Sequence, residues 1–242
     1  MVVVSHKHEF VFLKTMKTGG TSIEMALEPL CRPPGATVVE KTPTLISSEG
    51  IVGRRLTPPP RFKRLLRRTD WFNHMTPDQV RKLLGEDRWA RYHKLISVRN
   101  PFDATLSMFF WRFIFHNRPA PTEFDEARTL FLDWVRAEPF DCNKAIAHIG
   151  NQFVANTVIR FETMAADTAA AYHRFAPSAG PVTLPHTKDG STKRTQPVAD
   201  YFDRASTDSI LKRAAWVFER FGYSEDPADA KRRSSDTPKV TQ

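Results

Sequence analysis

The segment Phe10-Val11-Phe12-Leu13-Lys14-Thr15-Met16-Lys17-Thr18-Gly19-Gly20-Thr21-Ser22 passes from a β-type run through a glycine turn into a helical pattern. Phe10 to Leu13 alternates aromatic and aliphatic residues as a buried strand does. Ile23, Met25, Ala26, Leu27 and Leu30 then recur at helical spacing until Pro33-Pro34 forbids continuation. A strand that turns through two glycines into a helix leaves the first-turn N–H groups unpaired and facing the turn, together with the positive end of the helix dipole. An anion suits that position. Gly19 and Gly20 allow positive φ and close approach, Lys17 adds a point charge, and Thr18, Thr21 and Ser22 add hydroxyl donors. The competing reading is a tight turn carrying a surface lysine. The order also differs from the nucleotide triphosphatase loop, in which the lysine follows the last glycine and precedes Ser or Thr.

Composition sets the bounds. The chain has 242 residues, 40% of them apolar, enough for one sizeable α/β domain with its own core. We read residues 1–224 as that domain, with a loop-rich insertion over 31–70 and a polar tail over 225–242 that frays. The net charge of +9 favours anionic partners without choosing among nucleotides, acidic glycans, nucleic acid and membranes. Cys31 and Cys142 make neither a disulfide framework nor a metal-ligand spacing, and free thiols are expected. No apolar run approaches the ~20 residues of a membrane span, and a soluble, cytoplasmic protein is expected.

Outward from the first segment, Arg54 to Arg68 holds seven basic residues, which are either a solvated loop or a surface for an acidic substrate. Thr76-Pro77-Asp78-Gln79 predicts a helix start with Thr76 as N-cap, Pro77 at the first position and Gln79 closing a capping box, so His74 stands just outside a helix N-terminus. His93 to Val98 predicts a second strand, followed by Arg99-Asn100-Pro101-Phe102-Asp103 with Asn100 as N-cap of a helix through Trp111. Arg99 offers a planar fork for a phosphate, and Ser107 a hydroxyl on the side of Asp103. A surface ion pair is the simpler reading of such an arginine. Further helices are expected over Phe124–Ala137, about Asp167–Phe175 and about Thr207–Phe221, and a third strand over Phe153–Ile159. Strands alternating with helices predict a parallel sheet with ligands at the carboxyl ends of its strands.

The two motifs, in this order, resemble those of the sulfotransferases that use 3′-phosphoadenosine 5′-phosphosulfate (PAPS). Lys17-Thr18-Gly19-Gly20-Thr21-Ser22 is similar to the family's 5′-phosphosulfate loop, and Arg99-Asn100-Pro101-Phe102-Asp103 with Ser107 to its 3′-phosphate motif. Asn73-His74-Met75 resembles the His segment of the branch containing uronyl 2-O-sulfotransferases and bacterial relatives. Arg160-Phe161-Glu162 and Leu184-Pro185-His186 also match, so the likeness extends over most of residues 9–223.

The resemblance implies a P-loop-like α/β sandwich with a central parallel sheet flanked by helices, and sulfuryl transfer without a metal. The acceptor it implies is a hydroxyl or amine, on a carbohydrate such as an acidic glycan. Lys17 would stabilise the leaving oxygen, and Thr18 to Ser22 would wrap the 5′-phosphate. Arg99 and Ser107 would hold the 3′-phosphate, and His74 would be the general base. Arg160, Lys188 and Lys193 would add cofactor contacts, although the late loop departs from the family's pattern and Arg54–Arg68 matches none of it. Two alternatives stand beside this reading. One is a kinase or other phosphotransferase with an atypical loop, which would want the strand-terminal Asp that is Arg99 here. The other is a basic nucleic-acid-binding module, for which no helix carries several basic residues on one face. No nucleic acid is expected as a partner.

Overall fold

A four-residue turn, His6 to Glu9, is too short to cross a sheet face, so the strands it joins must lie antiparallel. In the computed structural model, which describes residues 2–37, 44–53, 71–138, 140–185 and 196–230, they pair antiparallel. Two compact units divide the chain, Met1–Val98 with Asn143–Thr187 and Arg99–Cys142 with Lys188–Gln242.

The first unit is α/β. Its strands are β1 (Val3–Ser5), β2 (Phe10–Leu13), β3 (Leu45–Ile46), β4 (Gly50–Val52), β5 (His93–Val98), a hairpin of β6 (His148–Ile149) and β7 (Gln152–Phe153), and β8 (Thr157–Arg160). Among the described residues six of them form one sheet in the order β3-β4-β1-β2-β5-β8. Neighbouring strands pair in parallel at β2–β5 and β5–β8, whereas β1 runs antiparallel to both β2 and β4, and β3 antiparallel to β4. The sheet is therefore mixed, which corrects the expectation of a parallel one. The cause is local, since the tight turn after Ser5 folds β1 back onto β2.

Helices of this unit are α1 (Gly20–Leu27), α2 (Pro77–Leu84), α3 (Glu86–Arg91), the single turn α6 (Lys144–Ala147) and α7 (Met164–Phe175). Alternation along β2 sends Phe10 and Phe12 into one core cluster with Ile23 and Leu27 of α1 and Met164 and Ala171 of α7. Helices α1 and α7 pack together over that face. The run Phe153–Ile159, expected to be one strand, is divided at Asn156. Its N–H donates to the Lys94 carbonyl at 2.8 Å, and its Oδ1 accepts from the Lys94 N–H at 2.8 Å.

The second unit is helical: α4 (Pro101–Phe115), α5 (Phe124–Ala137), α8 (Arg204–Arg213) and α9 (Ala215–Phe221), with a 3₁₀ turn at Val198–Tyr201. Asn100 Oδ1 caps α4 by accepting from the N–H groups of Phe102 and Asp103, and Pro101 occupies the first position, where a missing N–H costs nothing. An aromatic core follows, in which Phe131 meets Phe109 and Phe202 edge-on at 5.4 and 4.9 Å between centroids. The single helix expected over Thr207–Phe221 is two, because Ala214 leaves helical backbone at φ −104° with its side chain fully buried. Of the tail expected to fray from Glu225, residues as far as 230 are described. Asp226 caps a 3₁₀ turn at Pro227–Asp229, and Ala230 is buried.

Both cysteines are free and buried, with thiols raised above their ordinary range mainly by burial. No helix among the described residues is long and apolar enough to cross a membrane.

Candidate active site

The site is assembled where β2 ends. Lys14 leaves the strand and turns its side chain inward, placing Nζ 2.5 Å from Glu24 Oε2 on α1, both side chains being buried. Lys14 is thus committed to the frame of the turn. Thr15 Oγ1 donates to the Ser97 carbonyl at 2.6 Å, and the hydroxyls of Thr15, Thr18 and Ser97 close a triangle with sides of 2.7, 2.7 and 3.0 Å. All three residues are at least 97% buried. Ser97 lies on β5, the parallel neighbour of β2, so this triangle ties the turn to the strand beside it. Thr18 therefore presents its backbone to the turn, because its hydroxyl is committed beneath it.

Lys17 adopts φ 64°, the left-handed region that a non-glycine residue enters at a cost of about 1–3 kcal/mol. Gly19 follows at φ 74° as the N-cap of α1. Neither glycine has room for a side chain. A Cβ on Gly19 would lie 2.5 Å from Met164 Sδ, and one on Gly20 would lie 2.9 Å from Lys14 Cγ. Gly19 O accepts from the N–H groups of Ser22 and Ile23, while the N–H groups of Gly20 and Thr21, first in the helix, have no intrahelical acceptor. No acidic residue occupies the first turn, so the positive end of the helix is uncompensated by its own sequence. Thr21 is half-buried and Ser22 buried.

His74 arrives from the start of α2. The capping box forms as the residue pattern requires, with Gln79 N–H donating to Thr76 Oγ1 and Thr76 N–H to Gln79 Oε1. Two residues upstream His74 takes φ 60° and is half-buried, and its Nδ1 lies 2.9 Å from the Lys14 carbonyl. A carbonyl only accepts, so Nδ1 carries the proton and Nε2 is the basic nitrogen of the neutral ring. Beside it, Asn73 Oδ1 is buried with no hydrogen-bond partner among the described residues.

A residue with no signal in the local sequence completes the arrangement. Asn143, buried and itself at φ 70°, accepts from the Met16 N–H at 2.7 Å and donates through Nδ2 to the Met16 carbonyl at 3.1 Å. It precedes α6, which packs against α2. Lys14 to Lys17 is consequently held by His74 at one carbonyl and by Asn143 at two backbone groups, from segments that touch one another.

Arg160 closes β8 and is half-buried; its N–H donates to Asp167 Oδ2 at 2.8 Å, so the backbone there is fixed by α7. Arg99 and Ser107 belong to the second unit. Arg99 is buried, with Nε and Nη2 at 2.7 and 2.6 Å from Asp103 Oδ2, and Ser107 is half-buried one turn beyond Asp103. Lys188, Lys193, His186 and the Arg54–Arg68 cluster lie outside the described residues.

No protein-family model, curated protein or solved structure matches the chain.

Proposed function

We propose that the protein is a sulfotransferase, moving a sulfuryl group from PAPS to a hydroxyl or amine of an acceptor, with a carbohydrate as the favoured acceptor class. The observation that carries this reading is the hydrogen bond from His74 Nδ1 to the Lys14 carbonyl. It directs a basic imidazole nitrogen from the strand end that also launches the Lys17–Ser22 turn. A general base and an anion-binding helix start, held by one short segment, are what transfer from an anionic donor to a neutral hydroxyl requires.

In the proposed reaction the acceptor oxygen attacks sulfur while His74 Nε2 takes its proton. The bond from sulfur to the bridging oxygen breaks, and the electron pair leaves with the 5′-phosphate. Charge grows on that oxygen, where Lys17 and the N–H groups of Gly20 and Thr21 stabilise it. Gly19 permits the close approach of the phosphate, and Thr18 contributes backbone. The 3′-phosphate is assigned to Arg99 and Ser107, and further cofactor contacts to Arg160, Lys188 and Lys193, on the sequence resemblance alone. The P-loop-like classification of the sheet rests on the same resemblance.

The test is thermal. The desulfated product, 3′-phosphoadenosine 5′-phosphate (PAP), should raise Tm in the presence of EDTA, because only the folded chain binds it. Adenosine 5′-phosphate should raise it far less. Equal shifts for the two would remove the 3′-phosphate assignment, and no shift with PAP would remove the reading.

A further inference from the structure

We infer that Asn143 is a positioning residue for Lys17, acting through the backbone of Met16; the inference rests on the sulfotransferase reading of the turn. The carboxamide of Asn143 engages Met16 at both of its backbone groups, N–H and carbonyl. Those groups belong to the two peptide planes on either side of Met16, and each plane is rigid. Fixing both planes fixes where the Lys17 nitrogen sits and the direction in which the chain enters Lys17. Thr15 before and Thr18 after are held through their hydroxyls to Ser97. In the run Thr15 to Thr18 the two threonines are buried and pinned on the β5 side, half-buried Met16 is pinned by Asn143, and half-buried Lys17 is set by its neighbours on both sides.

The choice of asparagine has a physical reason. Asn143 accepts with one atom and donates with another, and it tolerates φ 70°, which most side chains do not. Aspartate would keep the acceptor but set a carboxylate oxygen against the Met16 carbonyl. Alanine would lose both bonds and also strain the backbone. Glycine removes the carboxamide while relieving the backbone, so Asn143→Gly isolates the side chain's role. Left without the carboxamide, Lys17 has less reason to keep φ 64°, and its ammonium is no longer delivered to one place.

The experiment is a double-mutant cycle on PAP affinity, measured by calorimetry on wild type, Asn143→Gly, Lys17→Ala and the double variant, with Asn143→Asp as a second form that keeps the left-handed backbone. Acting through Lys17, Asn143→Gly should weaken PAP about tenfold in the wild-type background and less than about twofold once Lys17 is alanine. Hydrogen exchange at Met16 should quicken in Asn143→Gly while amides of β5 keep their protection. Losses of equal size in both backgrounds overturn the inference, since they would mark a structural role indifferent to Lys17. Should wild type bind no PAP, the nucleotide reading falls, and the same cycle with inorganic pyrophosphate judges Asn143 by the same criterion. Binding of neither probe overturns both.

Discussion

Arg99 and Asp103 form a buried ion pair one helical turn apart, with Nη2 2.6 Å from Oδ2 and side chains 8% and 5% exposed. Two charges removed from water depend on each other more than they stabilise the fold, since their attraction mainly offsets desolvation. Asp103→Asn should therefore cost about 3 kcal/mol by removing the carboxylate from beside a buried guanidinium, whereas Arg99→Met with Asp103→Leu should recover most of that loss. Urea midpoints at unchanged m-value provide the check. A single variant as stable as wild type would show that the pair is open to solvent.

Much of this region was legible beforehand because its signals are local. Thr76 with Gln79, Asn100 with Pro101, and the apolar run His93–Val98 each declare an element within a few residues, and each formed at the expected place. What escaped depends on distant partners. β1 is three residues long and exists because β2 and β4 pair with it on either side. Asn143 meets Met16 across 127 positions, and Thr15 meets Ser97 across 82. An isolated asparagine or serine has no period to read, so its role appears only when the sheet has brought the segments together. The inward hydroxyl of Thr18 escaped for the same reason.

Gly20 sits at the first position of α1, where propensity alone favours alanine by up to about 1 kcal/mol. Packing reverses that preference. A Cβ there would meet Lys14 Cγ at 2.9 Å, and the lysine cannot easily yield because its ammonium is fixed on Glu24. Gly20→Ala should destabilise by about 1–3 kcal/mol, the scale of an overpacked site. Gly180, with nothing within 4 Å of an added Cβ, is the control, and Gly180→Ala should be neutral or slightly stabilising. Thermal unfolding of the two variants gives the comparison, and equal midpoints would contradict the packing argument.

His6 and His93 both bind protons less readily than a free imidazole. Burial is the main cause for each, followed by Arg88 for His6 and by Arg174 and Lys94 for His93. Both rings are hydrogen-bonded, His6 Nδ1 to the Tyr92 hydroxyl at 2.9 Å and His93 Nε2 to the Thr157 hydroxyl at 2.7 Å. With folded pKa values below the unfolded value of about 6.5, the neutral rings add stability that is fully present above that pH. It is lost as pH falls below it. The urea midpoint should drop between pH 7.5 and 5.5, and His93→Gln should flatten the slope. A wild-type midpoint that is level over this range would show that neither ring changes its protonation free energy on folding.

Lys17 acts in the proposed reaction on charge that exists only as the bridging oxygen leaves. Its loss should therefore fall on the chemical step more than on binding. Lys17→Ala should slow conversion of PAPS to PAP by about 100-fold or more, the scale for one preorganised donor, while PAP affinity weakens less. Lys14, buried on Glu24, is not in a position to substitute for it. A variant that keeps most of its turnover would mean that the lysine of this turn serves only the fold.

The two nitrogens of His74 have separable duties, and two substitutions distinguish them. Nδ1 donates to the Lys14 carbonyl and so holds the ring, while Nε2 is the nitrogen that would accept the acceptor's proton. Asparagine places its amide near Nδ1 and can keep the bond to Lys14, but it offers no base. Alanine loses both. Both variants should lower turnover of PAPS with a competent acceptor by about 10² to 10⁴, the usual span for a positioned base. They should differ in stability, because only His74→Ala gives up the bond that fastens the α2 entry to the end of β2. PAP affinity should stay near that of wild type in His74→Asn, since the base has no share in holding the nucleotide. The wild-type rate should also fall on acidification as the ring takes up a proton, and that fall should vanish from the residual rate of His74→Asn. If His74→Asn turns over PAPS at nearly the wild-type rate, the imidazole is only a clasp on Lys14, and the proton leaves the acceptor by another route.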